Sequence, residues 1–146
     1  MISFPRPVRD ANAQGGADNL GHLPEWDLSD LYKGEDAPEL IRDLDWLESA
    51  CAEFARDYEG KLDTLDAAGL LECIVRDEKI SNIAGRIMSF ASLRYYQLTT
   101  DPARTKFLSD CQEKITAYTT PLVFFTLELN RISEDKLTAM YAENAD

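Results

Sequence analysis

The side chains that carry most hydrolytic chemistry are scarce in this chain. A helical zinc site of a peptidase needs two histidines at i and i+4 with a glutamate as the base, but the sequence contains one histidine, His22. Serine and cysteine nucleophiles also need a general base, usually a histidine held by a third group, and His22 has no such group beside it in the sequence. The residues therefore predict no catalytic residue, no metal ligand and no cofactor in this chain.

Three adjacent residues, Arg94, Tyr95 and Tyr96, form the most site-like cluster of the sequence. Phenol hydroxyls and a guanidinium can hold the carbonyl or the carboxylate of a peptide, so these side chains are candidate peptide contacts. The alternative is that Tyr95 packs in the core, with Arg94 and Tyr96 at its edge. The helical spacing of the aromatic residues favours this packing.

Trp46 is the second candidate, as part of a docking face. At about 100° per residue on a helix, it lies off the apolar stripe that contains Leu44, Leu47 and Cys51. A bulky indole in that position is either covered by another segment, such as the N-terminal arm around Trp26, or exposed for a partner. The sequence leaves both alternatives open.

Composition restricts the classes of function. The 146 residues include 27 acidic and 15 basic side chains, which gives a formal net charge of −12. This balance repels nucleic acid and anionic membrane surfaces, so neither is an expected partner. No apolar run approaches the roughly 20 residues that span a bilayer, and residues 1–16 lack the apolar core of a secretory signal. We therefore expect a cytoplasmic location.

The three cysteines, Cys51, Cys73 and Cys111, are odd in number and form no Cys-x-x-Cys pair. This pattern indicates neither a zinc ribbon nor a redox pair. Each cysteine stands among apolar residues at helical spacing, where a free cysteine behaves as a small buried hydrophobe. We expect three reduced thiols in the core.

The elements that position all these residues are predicted to be helices. Residues 1–23 have low hydrophobicity, which predicts a flexible N-terminal tail, and residues 24–146 are predicted to form an all-α domain of long antiparallel helices. Apolar stripes at steps of three and four place three long helices at about 36–59, 67–98 and 102–130, and a short fourth helix is expected from Glu134 to about Glu143 after Ser133. The apolar residues expected to pin the arm onto this bundle are Trp26, Leu28, Leu31 and Tyr32.

Start and stop signals delimit these helices. Asp36, Asp101 and Ser133 are expected to cap the first, third and fourth helices. Pro38 suits a first helical turn, where its missing N–H does no harm. Gly60 is expected to end the first helix in the left-handed conformation.

Two residues inside the helices make local predictions. Gly85, together with Ala84, Ala91 and Ser92, predicts the close approach of a neighbouring backbone. Pro121 lies within the third predicted helix and cannot donate to the carbonyl of Ala117. Because the apolar heptad phase continues across it, a kink in one helix is favoured over a separation into two.

Five phrases of the sequence resemble a known family when they are taken together. They are Trp26-Asp27-Leu28-Ser29-Asp30-Leu31-Tyr32, Tyr58-Glu59-Gly60-Lys61-Leu62, Ala91-Ser92-Leu93-Arg94-Tyr95, Thr100-Asp101-Pro102 and Phe124-Phe125-Thr126-Leu127-Glu128-Leu129. In order and spacing they are similar to the N-terminal region of oligoendopeptidase F, a member of the thimet-oligopeptidase-like zinc metallopeptidases. The resemblance covers the chain from about Leu23 to its end.

The resemblance implies a parent protein that is a cytoplasmic zinc metalloendopeptidase and that cuts short peptides inside a channel. The N-terminal helices would form part of the channel wall, and a downstream catalytic region would be their partner. The zinc motif His-Glu-x-x-His of that family does not occur in this sequence, so no catalytic or metal residue is carried over and this chain alone is expected to be inactive. The alternative is a stand-alone helical module that binds a partner helix in a groove.

Overall fold

The protein is described by a computed structural model that covers residues 26–143. The predicted tail at 1–23 and His22 lie outside the described residues. Within them the chain is all-helical and contains no strand. The α-helices are α1 (Pro38–Tyr58), α2 (Ala67–Gln97), α3 (Pro102–Thr119), α4 (Val123–Leu129) and α5 (Glu134–Glu143), and two 3₁₀ turns occupy Leu62–Thr64 and Thr120–Leu122.

Most of the predicted helix signals are confirmed. Asp101 accepts a hydrogen bond from the N–H of Ala103 at 2.8 Å, and Gly60 has a φ of 75° after α1, where a left-handed residue favours glycine. The prediction for Asp36 is wrong. Ala37 is the N-cap of α1 and makes no side-chain cap, because its methyl group has no oxygen that could accept a hydrogen bond. This methyl group is buried in the core, and Ala37 is 5% exposed.

The core lies where α1, α2 and α3 contact one another. Its buried side chains are apolar, and no polar or charged residue is buried among the described residues. The largest fully buried side chains are Tyr32, Phe54, Phe90, Leu40, Leu47, Leu62, Ile87, Cys51 and Cys73. No helix in the range 26–143 combines the length and the apolar character needed to cross a membrane.

The segment before α1 is held to the bundle by Tyr32. Its ring packs edge-on against Phe90 with centroids 5.4 Å apart, and its hydroxyl donates to Asp43 Oδ2 at 2.6 Å. The guanidinium of Arg86 lies 4.5 Å from the ring centroid. The prediction that Trp26 helps to pin this segment is wrong, because its indole is 72% exposed.

Pro121 divides the third predicted helix. α3 ends at Thr119 and α4 begins at Val123, with a 3₁₀ turn between them, because proline cannot donate the hydrogen bond that the α-helical ladder requires. The prediction of one continuous helix is therefore wrong, although no loop intervenes. The core face is as predicted, since Phe125 is buried and Leu122 packs against the same core as residues of α3.

Within the described residues no neighbouring backbone approaches Gly85 closely, so this prediction from the sequence is wrong. A Cβ atom added to Gly85 would meet no atom within 4 Å. The residue is exposed, because α1 and α3 pack against other faces of α2. Ala91 of α2 is fully buried in the core, and Ala84 packs against the core.

Candidate functional site

Arg94 stands near the C-terminal end of α2 in a network of polar contacts. Its Nε donates to Glu35 Oε1 at 3.2 Å, and its terminal nitrogen donates to Gln97 Oε1 at 2.8 Å. Arg104 of α3 donates to the backbone carbonyl of Arg94 at 3.1 Å and pairs with Asp101 at 3.6 Å. Glu35, Arg94, Asp101 and Arg104 border an open pocket of ≈ 590 Å³.

The positive charges that border this pocket are matched by negative ones. Each guanidinium already has a carboxylate partner, Glu35 for Arg94 and Asp101 for Arg104. Both pairs are partly solvated, so each contributes at most about 1 kcal/mol to stability. The network joins the segment before α1, the end of α2 and the start of α3, and it therefore acts as a clamp between three parts of the fold.

The two tyrosines of the predicted cluster do not join Arg94 in this pocket. Their rings pack against each other with centroids 5.4 Å apart, and the side chain of Tyr96 is 69% exposed. Tyr95 is half-buried and does not belong to the core, so the interpretation that it packs there is wrong. Successive helical residues point about 100° apart, which separates Tyr96 from the direction taken by Arg94.

Trp46 of α1 is half-buried and packs against the edge of the core. The ammonium nitrogen of Lys79, on α2, lies 4.8 Å from the centroid of its ring, within the range of a cation–π contact. The cover on this indole therefore includes a lysine of α2. Trp26, in the arm that was one of the two alternatives for covering Trp46, has a backbone carbonyl that accepts a hydrogen bond from Gln97 at 3.0 Å.

The cysteines are placed in the core as the sequence predicts. All three thiols are free and buried. Burial raises the pKa of Cys51 to about 11, of Cys73 to about 12 and of Cys111 to about 11, because a thiolate is poorly solvated there. Among residues 26–143, no three histidine, cysteine or acidic side chains are grouped so that they could hold a metal ion. The described residues thus do not fit a zinc site.

Glu128 of α4 makes polar contacts with the turn after α1, although the two are far apart in the sequence. Its Oε1 accepts from the N–H of Gly60 at 2.7 Å, and its Oε2 accepts from the N–H of Leu62 at 3.3 Å. These two N–H groups lie beyond the last residue of α1 and take no part in its helical hydrogen bonds. One carboxylate therefore fixes the α1–α2 connection against α4.

An apolar groove, which sequence reasoning missed, lies between the start of α2, the end of α4 and α5. We call it the α2–α5 groove. Its volume is ≈ 400 Å³, and it is lined by Ala67, Leu70, Leu71, Ile74, Leu129, Leu137, Met140 and Tyr141. The apolar stripe of α2 was a signal for one wall of the groove, but the position of α5 was needed to define it. Leu71 and Tyr141 remain 58% and 76% exposed.

Comparison with known proteins adds no family to this geometry. No family model, no curated protein and no solved structure matches the chain. The arguments for function therefore rest on the residues and their contacts.

Proposed function

We propose that this chain is the non-catalytic N-terminal scaffold of a zinc metalloendopeptidase resembling oligoendopeptidase F. In this proposal it forms part of the wall of a channel that admits short peptides. The zinc ion and the catalytic residues belong to a downstream region of the parent protein, which is the partner of this domain. The described residues do not fit a zinc site, so no catalytic step is assigned to them.

The observation that carries the proposal is the bridge from Glu128 to Gly60 and Leu62. Two of the five phrases that resemble the peptidase family, 58–62 and 124–129, meet through this carboxylate although they are far apart in sequence. Phe54 adds to the same junction, with its ring 5.5 Å from that of Phe125. Residues that join distant helices in this way serve the scaffold, which supports a structural role for the phrases.

The other three phrases meet at the opposite end of α2. Residues 26–29 and Arg94 border one pocket, and Arg104 links the carbonyl of Arg94 to Asp101. The phrases that suggested the family therefore cluster at two structural junctions. This arrangement supports the proposal of a helical wall whose chemistry is supplied from elsewhere.

The proposal is tested first on the gene and then on the protein. DNA that follows the codon for Asp146 should continue in frame and encode His-Glu-x-x-His. The protein encoded by that longer frame should cleave a quenched fluorescent peptide until a zinc chelator is added, whereas the 146-residue chain should not. Chelator-sensitive cleavage by the purified 146-residue chain, or an inactive longer protein with an intact zinc motif, would contradict the proposal.

A second candidate function is a stand-alone helical module that binds a partner helix. The α2–α5 groove favours it, since an amphipathic helix can place its apolar face in such a groove. A stop codon directly after Asp146 in the natural gene would support this candidate over the peptidase scaffold.

A further inference from the structure

The α2–α5 groove is an apolar surface with no cover among the described residues. Leu71 and Ile74 of α2 face Leu137 and Met140 of α5 across it. The side chain of Val75, one turn after Leu71, is also 53% exposed. Exposed apolar side chains that form a continuous concave surface indicate an interaction site, whereas scattered ones do not.

The charged side chains of α2 indicate which sign of charge is available for a partner at the groove. All four basic side chains of α2 have partners within the fold. Arg76 pairs with Asp57 at 3.0 Å, and Lys79 lies over the ring of Trp46. Arg86 donates to the carbonyl of Leu31 at 2.5 Å, and Arg94 is held by Glu35. The positive charge of α2 is thus directed to the bundle.

Two acidic side chains of the same helix make no ion pair within the described part of the fold. Glu72 and Glu78 are exposed and take part in none of the ion pairs within residues 26–143. Glu78 follows Leu71 and Ile74 at helical steps of three and four, so it continues the row of side chains that lines the groove. An acidic group therefore stands at the end of an apolar row.

The α5 side of the groove has a similar character. Lys136 is held near Asp63 by an ion pair of 3.8 Å, while Glu134 at the start of α5 is exposed and unpaired within the described part of the chain. Arg131, in the turn before α5, is the one exposed basic side chain nearby without a described partner. Apart from Arg131, and from Lys79, whose ammonium makes a cation–π contact but no ion pair, the described side chains of these helices that carry a charge and make no ion pair are acidic.

We propose that the α2–α5 groove binds an amphipathic helix of another polypeptide, with leucine-like side chains on one face and lysine or arginine beside that face. The apolar face replaces water over Leu71 and Tyr141, and the basic flank meets Glu78 and Glu134. Charge complementarity selects this partner over an acidic helix, since like charges placed together oppose binding. The inference rests on the second candidate function, the binding of a partner helix, which it deepens by giving the chemistry of that helix; it is independent of the peptidase proposal.

The probe for the test is a synthetic peptide of about 18 residues, long enough to form a helix. It carries leucine at helical spacing along one face and lysine elsewhere. Two controls are a peptide with glutamate in place of every lysine and a peptide of the same composition in scrambled order. Binding to the full 146-residue chain is measured by fluorescence anisotropy at low and high salt. We expect the basic amphipathic peptide to bind and both controls to bind at least about tenfold more weakly.

Variants of the chain separate the groove from general attraction to an acidic protein. Leu71→Glu adds negative charge, so charge alone predicts tighter binding of the basic peptide, whereas loss of the apolar contact predicts binding about tenfold weaker. Ile41→Glu on α1 is the matched control, because Ile41 is 50% exposed and does not line the groove; it should not weaken binding. Glu78→Lys should weaken binding about threefold and reduce its dependence on salt. Circular dichroism and the melting temperature of each variant confirm that it is folded.

Three results would overturn the proposal. The first is equal binding of the scrambled peptide, or binding that Leu71→Glu leaves unchanged or strengthens. The second is a dimer of the chain alone that Leu71→Glu dissociates, which would make a second copy the occupant. The third is tighter peptide binding after removal of residues 1–25, which would make that segment of the same chain the occupant.

Discussion

The carboxylate of Glu128 is expected to contribute about 2 kcal/mol to the free energy of unfolding. It accepts hydrogen bonds from the backbone N–H groups of Gly60 at 2.7 Å and Leu62 at 3.3 Å. A hydrogen bond to a charged group is worth about 1.5–3 kcal/mol when it is shielded, but the bond to Gly60 is exposed and the bond to Leu62 is long. Each of the two hydrogen bonds is therefore expected to contribute a free energy at or below the low end of that range.

Glu128→Ala removes both bonds and leaves the two amides to water. The higher helix propensity of alanine returns a few tenths of a kcal/mol, so the net loss remains about 2 kcal/mol. For a domain of this size 1 kcal/mol corresponds to roughly 4 °C, and the melting temperature should fall by about 8 °C. Glu128→Gln keeps one acceptor oxygen without the charge and should lose about half as much.

The assay is thermal and urea unfolding followed by circular dichroism, together with amide hydrogen exchange at Gly60 and Leu62. The matched control is Glu59→Ala, because Glu59 lies in the same turn, is exposed and accepts no hydrogen bond from the described residues. It should change the free energy of unfolding by no more than about 0.5 kcal/mol. Equal effects of the two alanine substitutions, or unchanged exchange at Gly60 and Leu62 in Glu128→Ala, would refute the bridge.

Further predictions concern the helices, the thiols and the exposed indole. Gly85→Ala should stabilise the chain by about 1 kcal/mol, since the added methyl meets no atom within 4 Å; a lower melting temperature would contradict this. Asp101→Ala should cost about 1 kcal/mol by removing the cap of α3, and Asp101→Asn should restore most of it. The three cysteines should resist a thiol reagent at pH 8 until urea unfolds the chain. Their folded pKa values of about 11 to 12 exceed the ordinary value of 9.0, so the stability they contribute is complete below pH 9 and is lost as the pH rises through 11; a native thiol that reacts as fast as a free one would contradict their burial. Under the peptidase proposal, Trp46→Ala should impair the full-length enzyme more than it destabilises the 146-residue chain, and equal destabilisation of both would favour a purely local packing role.

Much of the secondary structure could be predicted from local signals. The bounds of α2 follow from apolar periodicity and those of α5 from the cap signal at Ser133. The cap at Asp101 and the left-handed Gly60 are also properties of short segments. Local rules also suffice for Pro121, whose missing N–H accounts for the 3₁₀ turn between α3 and α4. The error there came from giving the apolar phase more weight than the lost hydrogen bond.

The candidate site was less accessible to such reasoning. The residues Arg94, Tyr95 and Tyr96 are adjacent in sequence, but their side chains leave the helix in different directions. Only Arg94 takes part in the clamp with Glu35 and Arg104. The partners of Arg94 come from outside α2 as well as from within it. No local pattern states which distant side chain will reach a given guanidinium.

The sequence by itself determined that this chain forms helices, that its thiols belong to the core and that its net charge is −12. These properties depend on composition and on spacings within one element. The tertiary structure alone decided that Glu128 reaches Gly60, that Gly85 stays open and that α5 completes a groove with α2. The physical reason is that such contacts depend on how helices are rotated and placed against one another, and this follows from the packing of the whole core rather than from any single segment.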